Sequence, residues 1–251
     1  MADAAPVLEV HDVRRAFGGV RAVDGVSFAL ARGEIRALIG PNGAGKSTFF
    51  NILTGQLRAD GGVVSWRGRP IGGLPPHAIW RLGISRTFQI TATFATLTVL
   101  ENVQVARLSH VGRSRALLAA AAALEVERAR ALLAQVGLAE HAGRPAAVLA
   151  YGDLKKLELA IALANDPALL LLDEPTAGMA PGERGALMAL TARIARERGL
   201  TVLFTEHDMD VVFAVAERIM VLHQGRVIAE GTPDAVRADR QVQAVYLGEE
   251  P

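Results

Sequence analysis

One stretch limits what this chain can become: EIRALIGPNGAGKSTFFNIL, residues 34–53. It reads as a short apolar strand, a glycine-rich loop and a helix in direct succession. Gly40, Gly45, Lys46 and Ser47 stand at the spacing G-x-x-x-x-G-K-[ST]. Glycines let the backbone wrap closely, so that successive N–H groups converge on an anion. The helix that begins at the loop adds its positive N-terminal end. Lys46 is placed to reach the β- and γ-phosphates of a nucleotide, and Ser47 to hold Mg2+. The expectation is a site for ATP and Mg2+, with Asn42, Gly43, Gly45, Lys46, Ser47 and Thr48 as its phosphate-binding residues.

A second stretch, LLLLDEPTAG at 169–178, carries the complementary chemistry. A continuous apolar run of this length suits a strand buried on both faces. Asp173 would stand at its carboxyl end, where open α/β sheets bind ligands, and it suits coordination of Mg2+ directly or through water. Glu174 follows on the turn, placed to take a proton from an attacking water.

Composition narrows the partners. The 251 residues are 51% hydrophobic and 21% charged, enough for a full core. The formal net charge is +1 and the arginines are scattered, so the basic stripe of a nucleic-acid binder is missing and no nucleic-acid partner is expected. Without cysteine there are no disulfides or thiolate metal sites. The opening MADAAPVLEV lacks the charged and apolar regions of a signal peptide. The longest apolar runs fall well short of the ~20 residues that span a bilayer. The expectation is a cytosolic, at most peripheral, protein.

Along the chain, LEVHDVRRAF, DGVSFALARGEIRALIG and GGVVSW are strand-like. From about Leu97 to Leu138 the pattern turns helical and alanine-rich, opening on Thr98 to Glu101 at capping-box spacing. PGERGALMALTARIARERG reads as an amphipathic helix, TVLFTEH as a buried strand, and ERIMVLHQGRVIAEG as a hairpin turning at His223-Gln224-Gly225. TPDAVRADRQVQAVYLGEE closes the chain as short helices. The pattern predicts an α/β core with a β-rich layer at the N-terminus and an inserted helical lobe near residues 89–165.

The order of P-loop, Gln89, the stretch LAYGDLKKLELAIAL at 149–163, D-E-P-T and His207 resembles the ATP-binding subunit of an ABC transporter. The likeness covers nearly the whole chain. AVDGVSF, RTFQ, LTVLENV, DEPTAGM, EHDMDVVFAVAERIMVL and the final VYLG are most similar to the branched-chain amino acid importer branch. The resemblance implies an α/β P-loop NTPase: one domain over 1–251, with a RecA-like core (1–88 and 166–251), an N-terminal antiparallel β layer and a helical subdomain at about 89–165. It implies ATP hydrolysis that powers transport of a small solute, with branched-chain or hydrophobic amino acids or related amides as the leading expectation. The alternatives are an ABC ATPase for export of lipid or other cargo, or one acting on DNA or the ribosome. Phe17 would stack on adenine, Gln89 would touch Mg2+ or the attacking water, and His207 would contact the γ-phosphate.

By the same resemblance, Gly152 would complete the ATP site of an opposite subunit, a copy or a paralogue. The usual pattern there is L-S-G-G-Q. Here Ala150 replaces the serine, Tyr151 the first glycine, and Asp153 brings a negative charge that Lys155 and Lys156 can offset. The segment after D-E-P-T reads AGMAP, without the aspartate many members carry. The other implied partners are membrane permease subunits, docked near Gln89 and ITATFATLTVLENV, and indirectly a solute-binding protein. The implied location is the cytoplasmic side of the cell membrane. The sequence leaves the solute, import against export, and copy against paralogue open.

Overall fold

The computed structural model describes residues 6–87, 93–110 and 125–247. Two sheets organise them. β1 (Pro6–Phe17), β2 (Val20–Ala31), β4 (Gly61–Trp66) and β5 (Arg69–Pro70) form an antiparallel sheet in the order β2-β1-β4-β5. The second sheet joins β3 (Ile35–Ile39), β6 (Ile84–Thr87), β7 (Leu169–Asp173), β8 (Thr201–Thr205), β9 (Arg218–His223) and β10 (Arg226–Gly231) in the order β10-β9-β3-β8-β7-β6. Its members run parallel except β10, which returns antiparallel beside β9.

The apolar run at 169–172 is explained by this second sheet. Leu169 and Leu171 point into a core shared with the antiparallel layer, and Leu170 and Leu172 into a core shared with the helices. Both faces are covered, so successive residues are apolar rather than alternating. α1 (Lys46–Leu53) lies between the sheets with Phe49 and Phe50 fully buried. α2 (Pro76–Arg81) precedes β6.

The helical part contains α3 (Val99–His110), α4 (Val126–Gln135) and α5 (Tyr151–Leu163), which pack on one another. Thr98 and Glu101 form the expected capping box. Thr98 N–H donates to Glu101 Oε2 at 2.7 Å, and Glu101 N–H donates to Thr98 Oγ1 at 3.1 Å.

α6 (Pro181–Arg198) buries Leu187, Met188, Thr191, Ala192 and Ala195, a stripe at helical spacing. α7 (Met209–Val215), α8 (Pro233–Ala238) and α9 (Arg240–Leu247) complete the chain's helices among the described residues. The β9–β10 hairpin turns on Gln224 and Gly225, with φ of 47° and 79°, as a two-residue primed turn requires. No helix among the described residues is long and apolar enough to cross a membrane.

Candidate active site

The loop between β3 and α1 is shaped by close backbone approach. At Gly45 (φ 104°) an added Cβ would lie 2.0 Å from the Ala22 carbonyl oxygen, and at Gly40 (φ 153°) it would lie 2.1 Å from that of Leu222. Neither place admits a side chain. The Gln224-Gly225 turn braces the loop: Gly225 N–H donates to Ala44 O at 3.0 Å, and Asp24 N–H donates to Gly225 O at 2.8 Å. α1 starts with no side-chain cap and no acid in its first turn. Its leading N–H groups are therefore available to an anion. Asn42, Gly43 and Ser47 are exposed at the rim, with Thr48 half-buried behind them.

Lys46 is buried. Its ammonium donates to Gly40 O at 2.6 Å and to Pro41 O at 3.1 Å. Burial pushes its pKa below the ordinary lysine value, and the carboxylates of Glu174 and Asp173 act the other way.

Parallel pairing sets Asp173, at the end of β7, beside Thr205, at the end of β8. The Thr205 hydroxyl donates to Asp173 Oδ1 at 2.9 Å and accepts the Glu174 N–H at 3.0 Å. The other carboxylate oxygen, Asp173 Oδ2, accepts from Arg86 Nη2 at 2.6 Å. Glu174 has φ 48° and turns out of the strand direction. Its Oε1 lies 2.8 Å from His207 Nε2. Glu206 ties the same two strand ends together: it is buried and accepts both the N–H of Thr176, at 2.9 Å, and its hydroxyl, at 2.6 Å.

Lys46, Asp173, Glu174 and His207 thus meet at one end of the parallel sheet. Phe17 closes β1 and is 44% exposed, with the Arg15 guanidinium 4.8 Å from its ring centroid. It pairs with Val20, from which β2 runs to the Ala22 carbonyl that touches Gly45. Gln89 lies outside the described residues, as do residues 90–92 of the expected docking segment.

Gly152 lies in the first turn of α5. An added Cβ there would lie 3.3 Å from Glu183 Oε1, and the neighbouring Tyr151 hydroxyl donates to Ala177 O at 2.9 Å. Ala150 caps the helix in an extended conformation with no side-chain bond.

The expected offset of Asp153 needs correction. Lys156 pairs with Asp153 at 2.8 Å, but Lys155 is buried, pairs with Glu158 at 3.1 Å and lies 5.5 Å from the Tyr151 ring. At helical spacing Lys155 points inward and Lys156 does not. Three polar residues of the site escaped the sequence reading: Arg86, Thr205 and Glu206. The polar end T-E-H of an otherwise apolar strand was the available signal for the latter two.

The chemistry of this site is that of phosphate handling. The uncapped start of α1 and a buried ammonium lie near two carboxylates, one held by two partners and one against an imidazole. Ser47 and Asp173 offer oxygen donors only, which suits Mg2+ in company with substrate phosphates and water. No cluster of three or more His, Asp or Glu occurs among the described residues to make a self-sufficient metal cage.

The covered parallel sheet, glycine cradle and acidic strand end define a P-loop ATPase. The pattern of the ABC transporter family matches residues 23–177, and that of the branched-chain amino acid ATP-binding cassette transporter matches residues 226–251. The chain belongs to the ABC transporter family, as an ATP-binding and ATP-hydrolysing subunit.

It is 42% identical to the high-affinity branched-chain amino acid transport ATP-binding protein LivG of Salmonella typhimurium, over 97% of this chain and 98% of that one. Among solved structures it resembles an ABC transporter cassette in its ADP conformation, with TM-score 0.87 and 31% identity over 98% of this chain and 100% of the other. It also resembles a dimeric cassette in a post-hydrolysis state bound to ADP and Pi, with TM-score 0.75 and 26% identity over 90% and 98%.

Proposed function

We propose that the chain powers uptake of branched-chain or related hydrophobic amino acids, as a peripheral subunit on the cytoplasmic side of the membrane. The observation that carries the solute class is the C-terminal segment 226–251, which has the pattern of branched-chain cassettes, joined to the 42% identity with a branched-chain transport protein over 97% of the chain.

The chain acts as one cassette over 1–251, with its core at 1–88 and 166–251 and a helical part at 89–165. Asn42, Gly43, Gly45, Lys46, Ser47 and Thr48 hold the phosphates, and Phe17 stacks on the base, an interaction worth about 1–3 kcal/mol. Ser47 and Asp173, with Gln89, hold Mg2+, which when bound neutralises phosphate charge. Glu174 takes the proton of the attacking water, and His207 orients that carboxylate and faces the γ-phosphate.

Gly152 is distant in role from the chain's own loop. The start of α5 serves the loop of a second cassette, so that two chains close on two ATP molecules with reciprocal contacts. Hydrolysis removes the shared γ-phosphate and lets the pair reopen. Permease subunits dock beside the helical part. A cavity of about 320 Å3 there, lined by Ile79, Trp80, Ala106, Ile161 and Ala162 among others, supports that reading. A solute-binding protein delivers the cargo to the permease.

The test is reconstitution of the chain in proteoliposomes with its permease and solute-binding protein. Leucine, isoleucine or valine is expected to stimulate ATP hydrolysis and to accumulate in the lumen facing the cassette. Stimulation by an unrelated solute, with none from these three, overturns the solute class.

A further inference from the structure

Arg86 stands in the middle of β6, and its guanidinium reaches three parts of the nucleotide site's scaffold. Nη2 donates to Asp173 Oδ2 at 2.6 Å. Nη1 donates to Asn51 Oδ1 at 2.7 Å, with Thr54 Oγ1 at 3.2 Å and Gln56 Oε1 at 3.3 Å. The charge also lies 5.7 Å from the ring centroid of Phe50. Asn51 belongs to α1, and Thr54 and Gln56 follow its end, so one side chain bolts the phosphate-loop helix to the acidic end of β7. The Arg86 and Asp173 side chains are 8% and 4% exposed.

Burial gives this pair weight. A shielded ion pair is screened far less than a surface one, and breaking it by removing one partner leaves a buried charge uncompensated. Asp173 has one oxygen on Thr205 and the other on Arg86. A cation arriving at this carboxylate therefore meets one already satisfied by a fixed positive charge.

We propose that Arg86 is a positioning residue that holds Asp173 as its counter-ion and so weakens the hold of Asp173 on Mg2+ in the nucleotide-bound site. The inference rests on the reading of Asp173 as a metal-facing carboxylate. With Arg86 in place, Asp173 alone attracts the dication weakly, and the phosphates must supply the remaining negative charge. The same guanidinium, through Asn51 and Thr54, passes any change at Asp173 to the helix that carries Lys46 and Ser47.

The test is calorimetric ADP binding with Mg2+ and with EDTA, taking the dissociation constant in EDTA divided by that in Mg2+ as the metal coupling. Arg86→Met is expected to raise that ratio by about tenfold or more, the scale of one charged hydrogen bond. Arg86→Lys keeps the charge and is expected to stay near the wild-type ratio; it also serves as the folding control, checked by circular dichroism. Asp173→Asn separates the two ideas. If it leaves the wild-type ratio unchanged, the metal reading of Asp173 falls, and the proposal with it. If it lowers the ratio while Arg86→Met leaves it unchanged or lower, the role of Arg86 alone is overturned. In the double variant the gain from Arg86→Met should vanish.

Discussion

His207 Nε2 lies 2.8 Å from Glu174 Oε1, which links the residue just past the end of β7 to a residue just past the end of β8. Neither residue belongs to a strand. Both follow the pairing of Asp173 with Thr205, one residue before Glu174 and two before His207. Because the Glu174 N–H is held by the Thr205 hydroxyl and carbonyl, its backbone cannot drift while its carboxylate and the imidazole meet. Glu174→Gln keeps the size and removes the base. ATP affinity should stay close to wild type while turnover falls by ~10²–10⁴. His207→Ala should slow turnover with little change in ADP affinity. Single-turnover phosphate release checks both, and hydrolysis at the normal rate in Glu174→Gln would show that another group accepts the proton.

Lys46 offers a second point of leverage. Its ammonium is buried against loop carbonyls, with its pKa lowered by desolvation. An anion at the loop would supply the charge that this burial denies it. Lys46→Ala should weaken ATP binding by about ten- to a hundredfold, the scale of a charged hydrogen bond lost to phosphate. Equilibrium titration with a fluorescent ATP analogue measures it, and unaltered affinity would remove Lys46 from the cradle.

The capping box at α3 carries a pH dependence. The Thr98 N–H, and then its hydroxyl, hold the Glu101 carboxyl below the usual range. A group with a depressed folded pKa stabilises the protein above its unfolded pKa, and that contribution is lost as pH falls through the folded value. Glu101→Ala should cost about 0.3–1.5 kcal/mol near pH 7. The gap in melting temperature between variant and wild type should close as pH drops below about 4. A gap that stays constant across that range would mean the ionised carboxylate is not what caps the helix.

These outcomes divide along the line between local and long-range information. The glycine loop, Asp173-Glu174 and the Thr98–Glu101 box were legible because each is a short pattern whose geometry follows from its own spacing. The doubly buried β7 was legible for the same reason, as an unbroken apolar run. Arg86 was not, because its meaning depends on Asp173, 87 positions away, and on a strand order that no local pattern encodes. Glu206 reaches across 30 positions to Thr176 in the same way. The two lysines of α5 show a subtler limit. Adjacent identical residues face different surroundings, and only the packing of the helix tells Lys155, paired with Glu158, from Lys156, paired with Asp153.

Tyr151 gives the last prediction. Its hydroxyl donates to Ala177 O, which ties the first turn of α5 to the segment that starts at Glu174. In the proposed pair, that turn meets the γ-phosphate held by the other cassette, while Glu174 serves as the base at its own. The bond therefore couples the two duties of one chain. Tyr151→Phe keeps the ring beside Lys155 and removes only the hydroxyl, a loss of about 0.5–1.5 kcal/mol. Pairing driven by MgATP in the Glu174→Gln background should weaken by a corresponding factor of about two to ten, with monomer ADP affinity unaltered. Ala150→Ser should act oppositely, because it adds a hydroxyl donor at the same helix start. Sedimentation velocity over a concentration series reads both. If Glu174→Gln pairs with MgATP but Tyr151→Phe leaves the constant untouched, the hydroxyl is structural ornament and the backbone of α5 carries the contact alone.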